Sequence, residues 1–275
     1  MAPGIVVGLD GTEQAEAAAE WAADEAVLRG GTTVRLVHVL VPSPDVLVPM
    51  VARRPVEPWA EELLARTAAA LRERRPGLSV TTGLLPGDAP VAALVGAADD
   101  AELLVLGSRA LGAVAGYFLG SVGLSVAGLV ERPVVLVRAA DPPVPPDAPV
   151  SVGVDVREPA DEVLAFAFAA AARRGSPLHV TYAHRRHAPA APPEARRALD
   201  DLLVPWRARH PEVPVTARAV PGSPGPELVH AASGAALAVI GRRIHRSPLT
   251  PAHLGSTAHA LLHHSPAPVA LVPHA

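Results

Sequence analysis

Short apolar runs alternate with longer Ala-rich stretches along the whole chain. The runs at 5–9, 103–106 and 134–137 are apolar at nearly every position, which indicates strands buried on both faces of a sheet. The Ala-rich stretches predict helices, which in the first half cover 13–29, 57–75 and 89–98. Strand, helix and strand in this order predict right-handed crossovers and a parallel sheet, hence an α/β fold.

The second half of the chain repeats the first half in the same order. GIVVGLD at 4–10 is similar to PVSVGVD at 149–155, and RPVVLV at 132–137 is similar to APVALV at 267–272. Ordered matches of this kind indicate that one domain has been duplicated.

The duplication predicts two domains, residues 1–140 and residues 150–275. Between them lies DPPVPPDAP at 141–149, a Pro-rich linker that favours an extended conformation. In parallel sheets of this type, ligands bind beyond the carboxyl ends of the strands, where the strand order reverses. The residues that follow each strand are therefore the expected binding residues.

The amino-acid composition excludes several classes of function. The 24 basic residues are all Arg and face 27 acidic residues, a net charge of −3, which is too little positive charge to hold DNA or RNA. The absence of Lys and Cys excludes a P-loop lysine, disulfides and Cys-ligated zinc. No secretory signal precedes the first strand, so we expect a cytoplasmic protein.

One uncharged segment, 111–130, is long enough to span a membrane and has a GxxxG pattern. We nevertheless predict a loop followed by a buried helix, with no membrane partner. The segment lies between two strands, and its counterpart in the second half contains His253, His259, His263 and His264, which lipid disfavours.

A glycine-rich loop follows the fourth strand of the first half. It runs from Gly107 to Gly120-Ser121, where a helix is predicted to begin. Glycines let backbone N–H groups approach a phosphate, and a helix N-terminus adds free N–H groups and a positive dipole. Asp10 ends the first strand at the same sheet edge, where its carboxylate can accept hydrogen bonds from a ribose or an adenine amino group.

This arrangement resembles the universal stress protein family in its tandem two-domain form, over nearly the whole chain. ATP-binding members have a glycine, two residues, a glycine, nine residues and then Gly-Ser or Gly-Thr. Gly107 begins this spacing and Gly120-Ser121 closes it, whereas Ala110 stands where the second glycine is expected.

The resemblance implies two Rossmann-like domains of the adenine-nucleotide-binding type, each a five-stranded parallel sheet with helices on both faces. It implies ATP, with or without Mg²⁺, in the first domain. Asp10 and Val39 would hold the base and ribose, while Gly107, Gly120, Ser121 and Val122 would hold the phosphates. Arg109 contacts a phosphate or faces water. The two copies would form an internal pseudo-dimer, and a homodimer of the whole chain is left open.

The second domain has a degenerate version of this loop. Its candidate site residues are Asp155, Gly241, Gly255 and Ser256. Ile244 stands at the second glycine, and Pro248 and Pro251 remove N–H donors from the loop. Asp155 then either binds ligand or caps its own turn. Arg242, Arg243, His245 and Arg246 either attract another anion or form a solvated loop.

The remaining candidates do not form a catalytic centre or a metal site in the sequence. His259 and His263 have the spacing of a metal-chelating pair on a helix, but an exposed helix explains them as well. His184 and His187 are expected at the surface. The predicted function is therefore an ATP-binding sensor or regulatory protein and not an enzyme. The alternatives are an interaction protein that binds no nucleotide and, ranked last, a slow ATPase.

Overall fold

The computed structural model describes residues 4–41, 56–108, 121–138, 145, 147–184, 192–244 and 254–275. The described residues up to Arg138 form one compact unit, and those from Pro145 onward form another. Each unit is an α/β sheet of five parallel strands flanked by helices, so the predicted fold class is confirmed.

The elements of the first unit alternate between strand and helix. They are β1 Ile5–Gly8, α1 Glu13–Leu28, β2 Val34–Leu40, α2 Val56–Arg74, β3 Val80–Pro86, α3 Pro90–Ala98, β4 Leu103–Gly107, α4 Ser121–Leu129 and β5 Val134–Val137. The strand order is β3-β2-β1-β4-β5. The order therefore reverses between β1 and β4, which opens a crevice at their carboxyl ends.

The second unit repeats the same order of elements. They are β6 Val150–Gly153, α5 Asp161–Arg174, β7 Leu178–His184, α6 Pro192–Arg209, β8 Val215–Pro221, α7 Pro224–Ala231, β9 Leu237–Arg243, α8 Ser256–His264 and β10 Val269–His274. Its strand order is β8-β7-β6-β9-β10, with the reversal between β6 and β9.

Helix α1 packs on the first sheet through a face made of alanine. Ala18, Ala19 and Ala22 are completely buried, and small side chains of this kind let a helix lie close to a sheet. The helix begins at Thr12, whose hydroxyl oxygen accepts the backbone N–H of Ala15 at 3.3 Å. This bond satisfies one of the donors that a helix start leaves unpaired.

Gly107, at the end of β4, lies directly against the backbone at the start of α1. A Cβ atom there would lie 2.6 Å from the backbone nitrogen of Ala15 and 2.6 Å from the carbonyl carbon of Gln14. Backbone atoms cannot move aside as a flexible side chain can. Packing therefore requires a glycine at 107 whether or not a ligand binds.

Gly241 occupies the same position in the second unit and is less constrained. A Cβ atom at 241 would meet the ring of His274 at 2.8 Å and a methyl group of Val163 at 3.1 Å. These are side-chain atoms, which can rotate away.

Gly107→Ala is expected to lower the free energy of unfolding of the first unit by about 1–3 kcal/mol, the usual cost of forcing an extra carbon into a packed interior. The measurement is a urea titration followed by circular dichroism. Gly96→Ala is the control, because Gly96 lies in α3 with no atom within 4 Å of its added Cβ. That change should be neutral or stabilising. Equal effects of the two substitutions would contradict the close-contact explanation.

Candidate functional site

The first unit has a cleft of about 350 Å³ at the carboxyl ends of its strands. Its walls are the end of β1, the end of β2, and the end of β4 with the start of α4, together with residues of α1 and α3. The lining residues are Gly8, Leu9, Asp10, Ala15, Val37, His38, Val39, Val41, Pro90, Leu94, Leu106, Gly107, Ser121, Val122 and Gly123. The cleft therefore brings together Asp10, Val39, Gly107, Ser121 and Val122 of the predicted site.

Asp10 lies in a tight turn that joins β1 to α1. Its Oδ1 atom accepts the backbone N–H of Thr12 at 3.1 Å and the Thr12 hydroxyl at 2.6 Å. Gly11 between them has φ of +80°, a conformation that favours glycine. The turn thus fixes the Asp10 carboxylate, which is exposed at the mouth of the cleft.

Val39 directs its backbone groups into the gap beyond the end of β1. Residues of a parallel strand point their N–H and C=O groups to one neighbour and then to the other, in alternation. Val37 faces β1, because its carbonyl accepts the N–H of Leu9 at 2.8 Å. Val39 faces the same way, but the ladder between β1 and β2 ends at the Gly8–Val37 pair.

His38, the residue before Val39 in β2, contacts the chain just after β1 through its side chain. Its Nδ1 atom lies 2.7 Å from the carbonyl oxygen of Leu9. The ring stands edge-on to Trp59, with centroids 5.4 Å apart and planes at 80°. No sequence signal predicts this pair, because a lone histidine in an apolar strand is usually a packed core residue.

The start of α4 provides the opposite end of the cleft. Ser121, Val122 and Gly123 are the first residues of this helix, and the N–H groups of a first helical turn have no acceptor within the helix. Arg109, Ala110 and Gly120, which complete the predicted glycine loop, lie outside the described residues. Ser108, just after β4, is buried, and its hydroxyl accepts the Nε–H of Arg138 at 3.2 Å.

The second unit has a larger cavity at the equivalent sheet edge, about 1370 Å³. It brings together all four predicted residues of the second domain, namely Asp155, Gly241, Gly255 and Ser256. Three arginines also line it: Arg157, Arg242 and Arg243. By contrast, the lining of the first cleft includes no Lys or Arg among the described residues.

The acidic groups of the second cavity are paired with arginines of the same cavity. Asp155 accepts the backbone N–H of Arg157 at 3.0 Å, and its two oxygens accept Nε–H and an Nη2–H of that residue at 3.3 Å each. This hydrogen bonding raises the pKa of Arg157. Glu158 accepts a hydrogen bond from Arg243. Asp155 therefore caps its own turn, one of the two roles that the sequence left open.

The two arginines that end β9 differ from each other. Arg242 is buried, whereas Arg243 is exposed and paired with Glu158. The solvated-loop interpretation thus fits Arg243 but not Arg242. His245 and Arg246 lie outside the described residues.

The other histidines do not assemble a metal site within the part of the chain that the structure describes. The rings of His259 and His263 are 4.2 Å apart on α8, as their spacing predicts. His184 was expected at the surface, but it is buried as the last residue of β7. That prediction was wrong because the neighbouring Arg and Pro residues obscured the end of the strand. His187 lies outside the described residues.

Among the described helices, none combines the length and the apolar character that crossing a membrane requires. Helix α4, which lies in the uncharged segment, has only nine residues. Residues 111–120 of that segment are outside the described part.

Comparisons with known proteins agree with this architecture. The model of the Universal stress protein family matches residues 1–138 and again 149–273. A universal stress protein of Mycobacterium tuberculosis is 33% identical over 284 residues, covering 97% of this chain and 95% of its own. The crystal structure of a universal stress protein from Archaeoglobus fulgidus is 19% identical, with a TM-score of 0.78 and 100% of both chains covered.

The stability of the second unit is expected to fall as the pH drops below about 6.5, the ordinary pKa of histidine. Burial, followed by the positive charge of Arg218, lowers the pKa of His179. Between the lowered pKa and the ordinary one, the unfolded chain binds more protons than the folded chain, so acid favours unfolding. The measurement is a series of urea titrations between about pH 7.5 and about pH 5.5.

His179→Gln removes the group and should flatten this pH dependence, while Arg218→Gln should weaken it. His259 contributes with the same sign, because burial and the nearby His263 and His264 lower its pKa. A stability that rises with acid over this range would contradict the prediction.

Proposed function

Because this chain belongs to the universal stress protein family, we propose that its first domain binds an adenine nucleotide, with ATP as the expected form. The nucleotide would make the protein a sensor or regulator of a stress response. The cytoplasmic location, the pseudo-dimer and Mg²⁺ remain predictions from the sequence.

The observation that supports this proposal most is the order of groups along the first cleft. The unpaired strand edge at Val39 offers one donor and one acceptor, which suits the edge of a planar base. Asp10 comes next and offers a carboxylate to ribose hydroxyls, which are donors. The N–H groups at the start of α4 come last and suit phosphate oxygens.

We propose binding without turnover. Of the described residues that line the cleft, Asp10 is the one carboxylate, and its Oδ1 atom already accepts two hydrogen bonds from Thr12. His38 is the one imidazole there, and its Nδ1 atom is bonded to Leu9. A general base must lie within reach of the attacking water, and in the proposed binding mode both residues lie at the base and ribose end of the cleft, away from the phosphates.

The second domain is not proposed to bind ATP in the same way. Asp155 is held by Arg157 through both of its oxygens, so a ribose hydroxyl would have to compete with an ion pair. We therefore use the second domain as an internal control for the first.

Thermal unfolding of the full chain with and without ATP or AMP tests the proposal. A ligand at 100 times its dissociation constant should stabilise the first unit by about 2.7 kcal/mol. The absence of a shift with ATP, MgATP and AMP, together with no nucleotide released from the purified protein, would reject nucleotide binding. It would favour the interaction-protein alternative.

Asp10→Asn is expected to weaken ATP binding by about 10- to 100-fold in calorimetry. The amide oxygen can still accept the Thr12 bonds, so the turn survives, but the charged acceptor for ribose is lost; such bonds contribute about 1.5–3 kcal/mol. Asp155→Asn is the matched control and should leave ATP affinity unchanged. Equal losses in both variants would contradict the assignment to the first domain.

Measuring phosphate release tests the proposal that bound ATP is not hydrolysed. The full chain with MgATP is expected to release no more phosphate than a buffer blank. Release above the blank that Asp10→Asn abolishes would establish the slow ATPase alternative instead.

A further inference from the structure

Arg242 places a positive charge inside the large cavity of the second unit. It is 5% exposed, whereas the other charged residues among the described lining, Arg157, Arg243, Asp155 and Glu158, are exposed. Arginine is almost never buried to this extent unless acceptor groups surround its guanidinium. A guanidinium has five N–H groups, so it can hold an anion while it keeps other bonds to the protein.

The side chain of Arg242 lies on the face of the sheet that α7 and α8 cover. A Cβ atom at Gly241 would meet Val163 of α5, so residue 241 faces α5. Successive residues of a strand point to opposite faces, which directs Arg242 away from α5. Helix α8 packs on β9 and β10 at that opposite face.

The described lining of this cavity has an excess of positive charge. Three arginines face two carboxylates there. Both carboxylates are bonded to the exposed arginines, Asp155 to Arg157 and Glu158 to Arg243. An anion that enters the cavity therefore meets more positive than negative charge.

The start of α8 adds N–H donors to the same cavity. The first intrahelical bond joins the N–H of His259 to the carbonyl of Gly255 at 3.0 Å. The N–H groups of Ser256, Thr257 and Ala258 precede that bond and have no acceptor within the helix, and all three residues line the cavity. Gly255 is the N-cap and has no side-chain oxygen to accept them. A first helical turn of this kind suits the oxygens of a phosphate group.

The first unit has a different side chain at the position of Arg242. The strand pairing aligns Ser108 with Arg242, and Arg138 with Pro273. In the first unit the Ser108 hydroxyl accepts the Nε–H of Arg138, a residue that is not among the described lining of the first cleft. In the second unit the guanidinium replaces the hydroxyl and lines the cavity itself. The two domains thus offer different groups to a ligand.

We propose that the second domain binds a phosphate group between Arg242 and the first turn of α8. The ligand is inorganic phosphate or a small phosphomonoester, which present the same kind of oxyanion. The guanidinium donates two parallel hydrogen bonds to the phosphate oxygens, and the N–H groups of α8 donate to the others. This site needs no adenosine, so the inference does not rest on nucleotide binding by the first domain.

Equilibrium dialysis of the full chain with labelled inorganic phosphate, at constant ionic strength, is the first test. Arg242→Gln should bind phosphate at the second domain at least about tenfold more weakly, because charge-assisted hydrogen bonds are lost. Arg243→Gln is the matched control, since Arg243 is the adjacent residue, exposed and bonded to Glu158. It should stay within about threefold. Phosphate held by the first domain is the same in all proteins, so the difference between them reports the second domain.

Ser256→Pro is the second variant, and it leaves Arg242 in place. Proline is well tolerated at the first position of a helix and removes the N–H of that residue. Gly255 has ψ of 158°, which is compatible with a following proline. We expect phosphate to bind about 3- to 10-fold more weakly, the effect of one lost hydrogen bond. If Arg242→Gln fails to fold, as judged by circular dichroism, this variant decides the question.

Competition with glycerol 3-phosphate distinguishes the two sources of the phosphate group. Displacement at a similar concentration assigns the site to phosphomonoesters, and displacement only at much higher concentration assigns it to inorganic phosphate. Either result supports the proposal. Equal phosphate binding by the natural protein, Arg242→Gln and Ser256→Pro would overturn it, as would an equal loss in Arg243→Gln.

Calorimetry with ATP separates this inference from the proposed function. The affinity for ATP should be the same in Arg242→Gln as in the natural protein, because the nucleotide is assigned to the first domain. If ATP binds and phosphate binding does not respond to Arg242→Gln, the phosphate site is rejected and the proposed function stands. If ATP does not bind but the response to phosphate is present, the opposite holds. A loss of ATP binding in Arg242→Gln would overturn both assignments.

Discussion

The early end of β1 is the constraint on which the candidate site depends. This strand stops at Gly8, while its neighbour β2 continues to Leu40. The chain leaves the sheet through a turn whose glycine has a positive φ, and the space beyond becomes the cleft. A parallel sheet normally pairs every interior backbone group, so a strand that ends early exposes unpaired groups of its neighbour. Main-chain groups therefore contribute to the site together with the side chains that line it.

The two domains have the same order of strands and helices, but different charged side chains lie at the two sheet edges. In the first domain, the aspartate after β1 is bonded to a neutral threonine. In the second, the corresponding Asp155 is bonded to Arg157, and two further arginines end β9. Exposed ion pairs contribute little to stability, but they occupy the acceptor that a ribose would use. The two domains thus share one backbone arrangement but differ in the groups that a ligand would meet.

Much of the fold follows from the sequence, because its signals are local. Apolar runs, Ala-rich helices and the repeat itself are sufficient for the strand and helix order, and the bounds of α3 and β5 differ from expectation by at most one residue. The roles of particular residues depend on distant contacts and could not be predicted. Gly107 illustrates this, since the sequence suggests a phosphate contact whereas the structure adds the backbone of α1. His184 and Arg242 look like loop residues in the sequence but are buried.

The backbone groups at the candidate site also explain why no catalytic motif stands out in the sequence. Main-chain donors and acceptors are the same at nearly every residue, so no residue type identifies them. In the sequence they can be recognised only from residues that determine the path of the chain. Gly11 permits the turn, Thr12 holds Asp10 and caps α1, and His38 occupies the Leu9 carbonyl. The functional information in this chain therefore lies in the residues that end β1 and shape the turn after it, together with the carboxylate of Asp10.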